Sequence, residues 1–184
     1  MTDRFTILDA PEEFLSAPLR LTVDLSAIAE NWREMARRSG KARAAAVVKA
    51  DAYGLGIEDV GQVLYRASAR DFFVAVPAEG VTLRPYAPEA RIFVLSGIWP
   101  GQEEIFFEND LVPVIASEEQ LAFWMAVLTE RGPYPCALHV DTGFNRLGLP
   151  IDDALALADD VSRPASFSPV LVLSHLACGD DPAS

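Results

Sequence analysis

The 184-residue chain carries a net charge of −12 and 51% hydrophobic residues. That acidity excludes a phosphate backbone as partner, so no nucleic acid is expected. No apolar run approaches the roughly 20 residues of a membrane helix. The start of the chain, with Asp3, Arg4, Glu12 and Glu13, lacks the apolar core of a signal peptide, and the expected location is the cytoplasm. Cys136 and Cys178 have neither disulfide nor metal-ligand spacing and read as buried small hydrophobes.

Residues 1–18 read as an N-terminal arm. Residues 19–25 alternate apolar and polar side chains and predict a strand, after which Ser26 caps a helix over 27–35. A unit then recurs in which a short apolar run is followed by a turn and a helix-forming stretch. The runs lie at 44–48, 72–76, 91–95, 111–115, 136–140 and 169–173. Near-continuous apolar strands belong in a parallel sheet covered by helices. Ser117-Glu118-Glu119-Gln120 is a capping box opening a helix over 121–128, and 151–160 predicts another amphipathic helix. Pro113 is a mild objection to its strand, because proline removes a ladder donor and favours strand edges. Repeated βα units leave two architectures, an open doubly wound sheet and a closed (β/α)₈ barrel.

In both architectures reactive side chains sit at the C-terminal ends of the strands. Three runs end in such residues: the first at Lys49, the fifth in His139-Val140-Asp141-Thr142-Gly143-Phe144-Asn145-Arg146, the sixth in Ser174-His175. Those two histidines are the only ones in the chain, and Lys49 is one of only two lysines against thirteen arginines. A lysine amine in a confined apolar site is disfavoured in its charged form and becomes a usable nucleophile or base. That is the requirement for a Schiff base with pyridoxal phosphate. Tyr53 and the backbone N–H groups around Gly54 and Gly56 could hold phosphate oxygens; alternatively, those glycines only shape a strand-to-helix turn. Gly54-Leu55-Gly56 lacks the third glycine of a dinucleotide fingerprint, and there is no Walker lysine or GxSxG elbow. His139 and Asp141 alone are too few ligands for a metal site, so none is expected.

Ala46-Val47-Val48-Lys49-Ala50-Asp51-Ala52-Tyr53-Gly54-Leu55-Gly56 closely resembles the cofactor-lysine signature of the bacterial alanine racemases. The stretch from His139 through Arg146 to Leu147-Gly148 resembles that family's second signature, and Ser174-His175-Leu176-Ala177-Cys178 its third. Phe73-Val74-Ala75-Val76 with Glu79 and Leu83-Arg84 fits its second βα unit. The resemblance implies a type III pyridoxal-phosphate enzyme, a homodimer interconverting L- and D-alanine for the cell wall. Its fold would be a (β/α)₈ TIM-type barrel, here truncated after about six strands, with the C-terminal β domain absent. Residues 19–184 would be part of that N-terminal barrel domain. By position, Lys49 would bind the cofactor covalently and act as a base. Tyr53 would hold the phosphate, Arg146 the substrate carboxylate, and His175 would lie beside the cofactor. Two departures stand out: His139 replaces a lysine that is carbamylated in many members and orients the arginine, and Leu55 replaces a common histidine. Two other readings stand beside this one: a single-domain pyridoxal-phosphate carrier, and a non-catalytic interaction fragment that keeps the motifs by descent.

Overall fold

The computed structural model describes residues 21–160 and 163–181, so the expected arm over residues 1–18 lies outside the described residues. The first element is helix α1, Leu25–Arg38. Its cap is Asp24 rather than Ser26: the Asp24 Oδ1 accepts from the Ala27 N–H at 3.0 Å, and the Ser26 hydroxyl donates to that same oxygen at 2.5 Å. The strand expected over 19–25 is absent from its described residues, 21–24. Alternation alone does not make a strand, and these residues have no ladder partner in the described sheet.

Six strands follow: β1 (Ala46–Val47), β2 (Asp71–Val74), β3 (Arg91–Val94), β4 (Leu111–Ile115), β5 (Cys136–His139) and β6 (Pro169–Leu173). They pair in parallel, and their order in the sheet equals their order in the chain. Four strands, β1, β2, β3 and β5, stop short of the apolar runs that predict them, yet the ladder hydrogen bonds continue past their ends. Val48 N–H donates to Phe73 C=O, Ser96 N–H to Ala75 C=O and Val140 N–H to Leu173 C=O, each at 2.9 Å. Pro113 sits in a central strand, not at an edge. Residues 111–113 of β4 are in register with β3, and Val114 and Ile115 with β5. The missing N–H therefore falls where the ladder passes from one neighbour to the other.

The crossovers carry the helices: α2 (Lys49–Gly54), α3 (Ile57–Arg66), α4 (Pro77–Leu83), α5 (Glu103–Glu108), α6 (Glu118–Arg131) and α7 (Ile151–Asp159). One face of the sheet is covered by them, burying Phe72, Ile92, Leu111, Phe106 and Trp124. Gly61 and Gly80 allow close helix packing there, since a Cβ at Gly80 would stand 2.8 Å from the Leu111 side chain. The opposite face holds a second apolar cluster of strand residues alone. Phe93, Val112, Val114 and Ala137 form it, with Phe73, Leu171 and Leu173 at its margin. Among the described residues no helix is long and apolar enough to cross a membrane.

Ser117 caps α6 as expected, accepting from the Gln120 N–H at 3.3 Å, and the helix runs past the predicted 121–128 in both directions. The buried Gln120 side chain closes the motif differently. Its Oε1 accepts from Ala116 N–H at 3.0 Å and its Nε2 donates to Ser96 C=O at 2.8 Å, joining the ends of β3 and β4. Cys136 is buried as expected, and burial pushes its thiol up to about 12. Cys178 is exposed, a correction: it lies in a turn after β6, outside both apolar clusters.

Candidate active site

Lys49 is the second residue after β1 and opens α2, two positions on from Val47, whose side chain is 48% exposed. Alternation along a strand puts the two on the same, helix-free face. The chain then does something unusual. Ala50, Asp51, Ala52 and Tyr53 all adopt left-handed helical angles, with φ between 52 and 57° and ψ between 36 and 50°. Each such non-glycine residue costs about 1–2 kcal/mol, so the turn must be held from outside its own propensities. Ala52 N–H donates to Val48 C=O at 2.9 Å and Gly56 N–H to Asp51 C=O at 3.0 Å. The Asp51 carboxylate accepts from Ile57 N–H at 2.8 Å, capping α3. From the next βα unit, Glu79 reaches in with both oxygens: Oε2 accepts from Ala75 N–H at 2.7 Å and Oε1 from Asp51 N–H at 3.3 Å. Buried Ala52 anchors the turn, and Tyr53 stands 63% exposed.

The second part lies at the ends of β5 and β6. Asp141 organises the loop after β5, its Oδ1 accepting from Gly143 N–H at 2.9 Å and Asn145 N–H at 3.0 Å. Those bonds, Asn145 first, hold its carboxyl below the usual range. Gly148 returns the loop: Asp141 N–H donates to Leu149 C=O at 2.9 Å and Leu149 N–H to His139 C=O at 2.7 Å. A Cβ at Gly148 would stand 2.5 Å from the Asp141 nitrogen, and its φ of 126° already requires glycine. The loop carries Phe144, whose ring lies between two of the expected site residues. The Arg146 guanidinium stands 4.4 Å from its centroid and the His175 ring meets it edge-on at 4.5 Å. Thr142 and Ser174 hydroxyls, 2.5 Å apart, tie the same two strand ends together.

His139 is 7% exposed, and its Nε2 has no hydrogen-bond partner among the described residues. Burial lowers its pKa, with the nearby His175 and Arg146 adding to the effect and Asp141 opposing it. Burial thus favours the neutral form of the His139 imidazole.

The expected residues share one end of the sheet, and Arg146 and His175 are brought together on the Phe144 ring. Lys49 and Tyr53 are at the other edge, and no hydrogen bond or ring contact joins Lys49 to Arg146 or His175 among the described residues. Two contributors escaped the sequence reading. Phe144 lay within a recognised signature without an assigned role, and Glu79 was noted only as matching a βα unit; its 28-residue separation from Asp51 leaves no local signal.

Comparison with known proteins identifies a family. Residues 23–184 match the family model described as alanine racemase, N-terminal domain. The chain is 77% identical over 173 residues to the biosynthetic alanine racemase of Agrobacterium fabrum, covering 94% of this chain and 44% of that protein. With the alanine racemase of Rhizobium meliloti the identity is 69% over 170 residues, covering 92% and 45%. Among solved structures, alanine racemase from Bartonella henselae with covalently bound pyridoxal phosphate superposes with a TM-score of 0.80 at 32% identity, over 86% of this chain and 47% of that one. The chain thus spans about half the length of the curated relatives it matches, and its six strands correspond to an N-terminal portion of their barrel. By sequence and by fold, the chain belongs to the alanine racemase N-terminal domain family.

Proposed function

We propose that this chain is the cofactor-bearing N-terminal part of a pyridoxal-phosphate-dependent alanine racemase that works as a homodimer. The observation that carries this reading is the lysine just past β1, entering a left-handed turn at the same end of the sheet as the strand ends that lead to Arg146 and His175. The donor set suits the cofactor. Lys49 offers a primary amine for its aldehyde. Tyr53 is exposed beside it, and space above Gly54 and Gly56 is open, a Cβ at either meeting nothing within 4 Å. When bound, pyridoxal phosphate supplies an electron-accepting ring that acidifies the α-proton of an amino acid joined to it.

Around that chemistry each side chain has a distinct task. Lys49 Nζ takes the α-proton from one face of the substrate and returns it there in the reverse direction. Arg146 presents a planar pair of N–H donors to the substrate carboxylate, its guanidinium set over the Phe144 ring. The Tyr53 hydroxyl and the nearby backbone N–H groups bind phosphate, and His175 flanks the cofactor. Inversion requires a second proton carrier on the opposite face. By the family resemblance, that carrier would be a tyrosine from the C-terminal domain of the partner subunit. The family match favours this reading over a single-domain carrier.

The test is chemical capture. The chain is incubated with pyridoxal phosphate, reduced with borohydride and digested, and the phosphopyridoxyl group is located by mass spectrometry. It is expected on Lys49, and to be missing from Lys49→Ala. Label on Lys41 alone would refute the assignment.

A further inference from the structure

We propose that Glu79 is the positioning residue of Lys49: its carboxylate clamps the left-handed turn after the lysine onto the exit of β2, and so fixes where the amine is presented. This deepens the reading of Lys49 as the reactive amine and rests on it. The other hydrogen bonds holding the turn arise within residues 48–57, from Val48, Asp51 and Ala52. The Asp51 N–H is different. Its acceptor, Glu79 Oε1, comes from 28 residues away, while the second oxygen of the same carboxylate is held by Ala75 N–H. One half-buried side chain thus joins the two βα units at the point where the lysine leaves its strand. Phe73 C=O, accepting from Val48 N–H, fixes the strand up to that point but not beyond it. Both groups facing Glu79 are donors, so a carboxylate, with an acceptor at each end, matches them and a carboxamide does not. Glutamine would turn an NH₂ group toward one of the two N–H groups.

The chain contains two lysines, which makes the proposal readable without cofactor. Reductive methylation with ¹³C-formaldehyde gives one dimethylamine NMR signal each for Lys41 and Lys49, assigned with Lys49→Arg. In Glu79→Gln the Lys49 signal is expected to move and sharpen while that of Lys41 stays in place. Exchange of the Asp51 and Ala75 amides should accelerate by about tenfold, as expected for loss of hydrogen bonds to a charged acceptor. Glu79→Asp keeps the charge but loses reach; it should shift Lys49 in the same direction and serves if the glutamine variant does not fold. The proposal is overturned if Lys49 is unmoved in both variants. It is equally overturned if both lysines and the near-ultraviolet circular dichroism change together, since Glu79 would then support the fold in general. Failure of pyridoxal phosphate to label Lys49 in the parent chain would remove the cofactor reading and leave these outcomes unaffected.

Discussion

β4 and β6 are both five-residue apolar strands, Leu-Val-Pro-Val-Ile and Pro-Val-Leu-Val-Leu, yet they live in different environments. Every residue of β4 is buried, whereas β6 alternates between half-buried and exposed, with Val172 at 63% exposure. The difference is neighbours. β4 has a strand on each side, helix α5 against it and Gly80 of α4 close to Leu111, while β6 pairs only with β5 among the described strands. An apolar run therefore specifies a strand, but its burial is conferred by the elements around it.

The two cysteines should break the symmetry most sharply. Cys136 opens β5 under full burial, and Cys178 lies past β6. A thiol reagent should titrate one cysteine in the native chain and the second only on unfolding; two fast thiols would mean that the β5 end is not packed as described. In stability, Ile115→Ala in β4 should cost about 2–5 kcal/mol by urea denaturation. Val172→Ala in β6 should stay within about 0.5 kcal/mol, and equal costs would erase the distinction between the strands.

A smaller effect is expected where the two environments meet, in the loop after β5. Gly148→Ala should destabilise the chain by more than about 1 kcal/mol, because both its φ and the approach of Asp141 oppose a side chain. Gly143→Ala, with a φ of 120° but open space around it, should cost less. Weakest is the acid response of His139. Its folded pKa lies below the ordinary value of about 6.5. The stability it confers is full above that value and falls as acid titrates the unfolded chain first, until the pH passes through the folded pKa. His139→Leu should flatten that part of the stability–pH curve at little cost at neutral pH, since it removes an unpartnered buried nitrogen. An unchanged slope would place the acid sensitivity elsewhere.

Strand positions were legible because buried parallel strands write themselves as apolar runs: 111–115 and 169–173 coincide with β4 and β6 to the residue. The strand ends bearing Lys49, Arg146 and His175 were legible for the same reason. The left-handed turn was not. Ala-Asp-Ala-Tyr has no intrinsic preference for positive φ, and what holds it includes a carboxylate from another unit. The Ser26 and Cys178 readings failed on similar grounds, one displaced by a better-placed acceptor two residues earlier and the other by a missing neighbour. Local chemistry reads from the sequence, and what depends on a distant partner does not.

The coincidence of chain order and sheet order has a kinetic consequence. Each strand hydrogen-bonds to the strand synthesised just before it, so every closure spans only one crossover and the entropy of closing it stays modest. A nascent chain can add strands to one growing edge as they leave the ribosome, with the lysine turn already assembled against β2 before the arginine and histidine strand ends have been translated.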